Sequence, residues 1–259
     1  MAEAAAPTPV KGTRPEGTAT EADASRKVRE MFTQIAPSYD RLNHLLSLQL
    51  DRVWRMRVAR ELEAILQRPD ATVLDLCCGT GDLTFALARA GRAQVIGADF
   101  SHAMLVRARS KSASAPIDRT SDVPITFFEA DALRLPFSAA SFDVVTTAFG
   151  FRNFANYEDG LREILRVLKP GGTLAILEFT EPAAGVLGNL YRWYFRNVLP
   201  RIGGLISGYR SAYTYLPASV SRFFRPPELS AVMETCGYEG VKYSIWTLGT
   251  VALHVGKKG

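Results

Sequence analysis

Residues 72–82 constrain the fold of this chain most. Thr72-Val73-Leu74-Asp75-Leu76 is a short, mostly apolar run that opens through Cys77-Cys78-Gly79-Thr80-Gly81 into a helical pattern beginning at Asp82. A run of that length and composition reads as a strand buried on both faces of a parallel sheet. Glycines in the turn tolerate positive φ and let a ligand come close to the backbone. The N–H groups at the start of the following helix favour an anionic ligand group. A plain strand-to-helix turn fits the same residues, so the motif alone leaves function open.

The alternation continues downstream. Gln94–Ala98 is a strand ending at Asp99, and Ser101 caps a helix through Met104 and Leu105. Residues 111–124 read as a loop, Ile125–Phe128 and Phe142–Ala148 as strands, and Tyr157–Leu168 as a helix. Lys169-Pro170-Gly171-Gly172 is a turn before a strand over Thr173–Glu178. Strands alternating with helices predict an α/β fold, a parallel sheet covered on both faces. Upstream, Ser25 caps a helix through Val28, Met31, Phe32 and Ile35 that Pro37 ends, and a second helix fills about 45–67. Residues 183–225 break the rhythm with helices and loops rich in Tyr, Trp, Phe and Arg. Glu228–Cys236 is helical, and Val241–Trp246 with Val251–Val255 forms a closing hairpin around Leu248-Gly249.

Two acids sharpen the glycine turn. A dinucleotide fingerprint wants a third glycine, and its place is taken by the β-branched Thr84. Asp99, 20 residues after Gly79 at a strand end, can accept hydrogen bonds from ribose hydroxyls, or cap a helix beside Ser101. Asp131, in Glu129-Ala130-Asp131-Ala132-Leu133, can accept from an exocyclic amine such as that of adenine, or serve as a turn residue.

Composition narrows the classes. A chain of 259 residues, 47% hydrophobic and 22% charged, is long enough for one α/β domain with a sizeable core. The formal net charge of +5 is too mild to imply nucleic acid without a localised patch, and no recognition module is present. Cys77, Cys78 and Cys236 form neither a disulfide framework nor a metal-ligand spacing, so reduced cysteines and a cytoplasmic setting are expected. No run reaches the roughly 18–20 apolar residues of a membrane span. Residues 1–24 read as a disordered tail, with no signal-peptide core, and residues 25–259 as a single domain.

In order, VLDLCCGTGD, the AD at 98–99, ADALRLPF, FDVV and LKPGG resemble class I S-adenosylmethionine-dependent methyltransferases. The resemblance implies a Rossmann-like, seven-stranded, mostly parallel sheet with an antiparallel last strand. It also implies that Asp75 and the Gly79-Thr80-Gly81 loop hold the methionine part of S-adenosylmethionine, that Asp99 binds ribose, and that Asp131 with Ala132 meets adenine. A narrower resemblance covers about residues 28–258. VREMFTQIAPSYDRLNHLLSLQLDRVW, AFGFRNFAN, RVLKPGGTLAILEFT and LPRIGGLISGYRSAYTYLPASVSRF are similar to segments of the demethylmenaquinone and ubiquinone-biosynthesis C-methyltransferase family. Leu42, Asp51, Ala148, Thr180 and Tyr209 depart from that pattern.

That family implies methyl transfer to a ring carbon of a prenylated hydroquinone, with no metal. Demethylmenaquinol is the leading acceptor, and the ubiquinone-pathway benzoquinol stays open. Another small aromatic or lipid-like acceptor is the alternative. Arg152 and Asn153 are the candidates to stabilise the phenolate, with Tyr39 and Asp40 secondary. The helices of 25–68 and the segment 183–225 would cover the substrate. Between Pro182 and Pro227 there is no acid, against Arg192, Arg196, Arg201, Arg210, Arg222 and Arg225. A basic amphipathic stretch of that kind suits transient contact with an anionic membrane surface on the cytoplasmic side, or a lid with solvated arginines. A homodimer is also open.

Overall fold

A computed structural model of the chain describes residues 11–114, 125–182 and 210–259, together with Gly185, Gly188, Trp193, Tyr194 and Asn197. Its centre is the run at 72–76. Strand β1 (Thr72–Leu76) pairs in parallel with β2 (Gln94–Asp99) on one side and β4 (Phe142–Ala148) on the other. Strand β3 (Thr126–Glu129) extends β2 in parallel, and β5 (Leu168–Phe179) extends β4. The closing hairpin, β6 (Tyr238–Trp246) and β7 (Val251–Lys258), inserts β7 antiparallel beside β5. The sheet order is therefore β3-β2-β1-β4-β5-β7-β6, with β7 alone reversed. This is the expected seven-stranded α/β architecture with an antiparallel last strand.

The period of two in β1 divides the core. Leu74 and Leu76 face a layer with Leu161 and Ile164 of α7 (Tyr157–Val167) and Leu229 and Met233 of α9 (Pro226–Thr235). Val73 faces the other way, onto Leu83 and Leu87 of α5 (Asp82–Arg89) and Trp54 and Val58 of α3 (Leu50–Glu61). Helix α6 (His102–Ser114) packs over β2 and β3.

Asp75 points to the α5 face and is buried. It accepts from Thr84 Oγ1 at 2.6 Å and Thr146 Oγ1 at 3.0 Å, so one carboxyl fastens β1, α5 and β4. Thr84, which breaks the dinucleotide fingerprint, is thus a structural partner of the strand it follows.

Several boundaries differ from the sequence reading. The first helix, α1 (Glu21–Ile35), starts before Ser25 because the Thr20 side chain caps it by accepting from Asp23 N. Residues 11–24 are packed, which corrects the expectation of a tail through 24; residues 1–10 lie outside the described residues. Lys11 O accepts from Tyr157 N at 2.8 Å, and Thr13 N donates to Phe154 O at 2.7 Å. Gly12 fits there because a Cβ would lie 1.9 Å from Ala155 O.

The expected helix at 45–67 is three: α2 (Tyr39–Leu46), α3 and α4 (Glu63–Leu66). Leu48 and Gln49 adopt left-handed backbone between the first two, with φ of 52° and 65°. Residues 169–172, expected as a turn, lie within β5, where its pairing with β4 shifts register. The expected loop 111–124 is helical to Ser114, and its remainder lies outside the described residues. Within 183–225, Arg192, Arg196 and Arg201 also lie outside them, while α8 (Arg210–Arg222) returns to the body of the domain.

Burial pushes the Asp75 carboxyl up to about 7. The folded chain then keeps a proton that an unfolded carboxylate, titrating near 3.9, has released at neutral pH. Stabilisation from this group is full below pH ~3.9 and is lost as pH rises through about 7. Urea unfolding between pH 4 and 7.5 should show wild type losing stability relative to Asp75→Asn, by at most about 1.4 kcal/mol per pH unit. A difference that does not change with pH would contradict this assignment.

Candidate active site

The carboxyl ends of β1, β2 and β4 bound a cavity, the position where open α/β sheets take ligands. Gly79 (φ 56°) and Gly81 (φ 88°) make the turn above β1. At Gly81 a Cβ would lie 3.0 Å from the Phe85 ring, so both conformation and space require glycine there. Asp99, buried at the end of β2, fixes this loop: Oδ2 accepts from Gly79 N at 2.9 Å and Oδ1 from Ser101 N at 2.8 Å. Burial pushes its carboxyl up to about 6, against the pull of those two N–H donors. Asp131, after β3, is exposed; its Oδ1 accepts from Leu133 N at 2.9 Å and so presents Ala132 to the cavity. Phe100, Met104 and Leu133 supply apolar wall.

Gly79, Asp99, Asp131 and Ala132 therefore share one cavity, and Asn153, expected beside the acceptor with Arg152, lines this cavity instead. Asp75, Thr80 and Gly81 do not line it. Asp75 is committed to two threonine hydroxyls beneath the loop. Thr80 is buried and donates to Asp40 Oδ1 at 2.5 Å, while Lys111 Nζ reaches Asp40, Thr80 and Asp82 at 2.5–3.2 Å. In this structure the side chains of Asp75 and Thr80 support the loop. Asp40, a secondary candidate for chemistry, belongs to the same support. Helix α1 covers the cavity with Ser25 and Phe32, held by an Arg29–Glu129 ion pair and by Thr33 Oγ1 at 3.1 Å from Ser101 Oγ.

A second cavity of about 320 Å³ adjoins the first, and Phe32, Tyr39 and Phe149 belong to the walls of both. It is mainly apolar, with Ile35, Trp54, Phe149, Phe179 and Leu216. Polar groups enter from two sides. On one, Arg152 is buried against Glu178: its NH1 donates to Glu178 Oε2 at 2.9 Å and its N to Oε1 at 3.0 Å. The guanidinium also lies 5.4 Å from the Phe179 ring centre. Arg152 Nε is buried without a hydrogen-bond partner among the described residues. On the other side, Asp51 accepts from Ser47 Oγ at 2.5 Å, lies 2.8 Å from His44 Nδ1, and pairs with Arg55. Arg55 is the main influence holding the Asp51 carboxyl below its usual range, against burial.

Asn153 is held in place by Tyr215, whose hydroxyl donates to its Oδ1 at 3.0 Å and lies 2.7 Å from Thr13 Oγ1. Burial raises the Tyr39 phenol and pushes the Cys77 and Cys78 thiols well up, so these groups stay protonated near neutrality. His44, Asp51 and Asp82 bring three metal-ligand atoms within 4.8 Å of one another, but Arg55 NH1 already supplies the cation there, 3.5 Å from Asp82 Oδ2.

Glu178, Tyr215 and the Asp51 cluster are missing from the sequence reading as site residues. Glu178 had a signal: an acid between the apolar run Leu174-Ala175-Ile176-Leu177 and Phe179 needs a buried partner. Tyr215 had none, because its partners lie 62 and 202 residues away.

Comparison with known proteins agrees with this geometry. A SAM-dependent methyltransferase from Thermotoga maritima superposes with a TM-score of 0.61 at 18% identity, covering 89% of this chain and 99% of that one. The [4+2]-cyclase SpnF superposes at 0.59 with 17% identity, covering 96% and 98%. The fold is thus that of Rossmann-like S-adenosylmethionine-dependent methyltransferases, and fold alone does not fix the reaction. The model of the ubiE/COQ5 methyltransferase family matches residues 20–258, and the chain belongs to that family. Demethylmenaquinone methyltransferases of Thermus thermophilus and Deinococcus radiodurans are each 48% identical to it; the first match covers 88% of this chain and all of the relative, the second 91% and 94%.

If Asp99 accepts ribose hydroxyls, it has to be ionised to do so. Affinity for S-adenosylhomocysteine, measured by calorimetry, should be level above pH 7 and fall as pH drops through about 6. Asp99→Asn should bind at least about tenfold more weakly and lose that pH dependence. Wild-type affinity flat from pH 5 to 8 would exclude the role.

Proposed function

We propose that the protein transfers the methyl group of S-adenosylmethionine to a ring carbon of a prenylated hydroquinone, with demethylmenaquinol as acceptor. The observation that carries this reading is the pair of adjoining cavities. One has the acids and glycine turn suited to a nucleoside, the other is apolar with buried polar groups, and they meet at Phe32, Tyr39 and Phe149. The names of the relatives support methylation in quinone biosynthesis.

The residues fit the donor. Asp99 offers ribose a carboxylate, Asp131 and Ala132 flank the place for adenine, and the Gly79 turn leaves room for the methionine part. When bound, S-adenosylmethionine supplies an electrophilic methyl on a cationic sulfur. The acceptor cavity orients the ring between Trp54, Phe149 and Phe179 and keeps water away. Loss of a hydroxyl proton makes the neighbouring ring carbon nucleophilic, and the Arg152 guanidinium in the cavity wall supplies positive charge for the resulting phenolate. Glu178 fixes Arg152, and Tyr215 fixes Asn153 beside it. Ser47 and the Asp51 carboxylate can hold a hydroxyl on the opposite side, so the departure at Asp51 lies in the acceptor wall, neutralised by Arg55. Transfer would break the sulfur–methyl bond and leave neutral S-adenosylhomocysteine, and the methylated ring carbon would regain aromaticity by giving its proton to water. The reading includes work at a membrane surface, because the prenyl tail keeps such an acceptor in the bilayer.

Transfer of labelled methyl to demethylmenaquinol and to the benzoquinol analogue, side by side, tests the acceptor. Demethylmenaquinol should be the better substrate. Cofactor binding without transfer to either would favour another small aromatic or lipid-like acceptor. Arg152→Lys keeps the charge but not the planar guanidinium that Glu178 and the Phe179 ring hold in place, and should lower kcat about 10²-fold or more at unchanged S-adenosylhomocysteine affinity. Near wild-type turnover would remove Arg152 from the chemistry.

A further inference from the structure

We propose that the outer face of α3 and two leucine-tipped turns beside it dock on an anionic lipid bilayer. The inference deepens the quinol reading, since it says how the acceptor cavity reaches its substrate. Leu48 and Leu248 are 74% and 76% exposed, the highest values among the exposed large hydrophobic residues described. Both are in left-handed backbone, with φ of 52° and 56°, as are their neighbours Gln49 and Thr247. That conformation is unfavourable for a bulky residue and has to be held by its surroundings. It is held here: Gln49 N donates to His44 O at 2.8 Å, and Trp54 Nε1 donates to Thr247 Oγ1 at 2.8 Å. The turns therefore fix two leucines pointing into solvent. Both residues also belong to the wall of the acceptor cavity, so the proposed docking face borders that cavity.

Helix α3 links the two turns. It starts just after Leu48, and its Arg57 guanidinium lies 5.6 Å from the ring centre of Trp246, next to the Leu248 turn. Trp54, Arg55, Val58 and Ala59 form its buried side. Arg52, Val53, Met56, Arg57 and Arg60 are exposed, and at ~100° per residue they cover one continuous face. Asp51 is buried, and the one exposed acid of the helix, Glu61, sits at its last residue on the edge of that face beside Arg57, so three arginines outweigh it. Half-exposed Met56 and exposed Val53 among three arginines are the composition of an interfacial helix, with apolar groups at the acyl boundary and guanidinium groups at the phosphates. No described helix is long and apolar enough to cross a membrane, so contact through this face is peripheral. With the face seated, a prenylated ring passes from lipid to the bordering Trp54–Phe179 cavity rather than through water.

The test is flotation of the full chain with vesicles of phosphatidylcholine, with and without phosphatidylglycerol, in the absence of any quinol. Wild type should float with the anionic vesicles. Leu48→Ser/Leu248→Ser and Arg52→Glu/Arg60→Glu should each lower partitioning about tenfold or more, with melting temperature and S-adenosylhomocysteine affinity unchanged. Raised salt should weaken wild type further. The proposal is overturned if wild type does not float, or if both variants float like it. Loss only in Arg192→Glu/Arg196→Glu overturns it too, by assigning the contact to another segment. A dimer lost in the leucine variant, without vesicle binding, overturns it by assigning the face to a second copy. Failure of the quinol reading shows separately, as vesicle binding without methyl transfer.

Discussion

The buried carboxyl of Asp75 is the contact on which the site depends. Two threonine hydroxyls, one from α5 and one from β4, meet it, so the strand below the glycine turn cannot move relative to its neighbours. Asp99 then ties the turn itself to the next strand by accepting from Gly79 N and Ser101 N. One acid builds the floor and the other sets the rim. This division follows from burial. Asp75 has no solvent-facing oxygen to offer a ligand, whereas Asp99 lies at a strand end that opens into the cavity.

The acceptor side is organised by buried charge. An unpaired Arg152 or Glu178 would cost several kcal/mol, and together they place a guanidinium inside an aromatic cavity. The same logic neutralises Asp51 with Arg55 on the opposite side. Neither pair would recommend itself as a source of stability alone. Both are understandable as ways to keep polar groups in an apolar space, which is what the proposed orientation of an acceptor ring requires.

Local patterns made the sheet legible. The strand–turn–helix at 72–82 announces itself because its residues are contiguous, and β4 over Phe142–Ala148 because a parallel strand reads as an unbroken apolar run. Asp99 and Asp131 were readable for a related reason: Asp99 ends β2 and Asp131 follows β3 by two residues, so each position is tied to a strand. The break between α2 and α3 was not readable, since Leu48 and Gln49 turn the chain in a conformation usually left to glycine. Nor was the buried role of Thr80, whose partners come from residues 40 and 111. The packing of residues 11–20 was hidden by their composition. Small polar residues there look disordered, yet Gly12 is where the backbone must lie flat on Ala155.

That last contact has a consequence for how the molecule is made. Thr13 meets Tyr215 across 202 residues, and Tyr215 in turn holds Asn153. A chain emerging from the ribosome presents its first segment long before α8 exists. Residues 11–20 can settle only on a nearly finished domain, so the part synthesised first docks among the last. Tyr215, which lines the apolar cavity, is therefore fixed late, between a segment from the start of the chain and a residue from its middle.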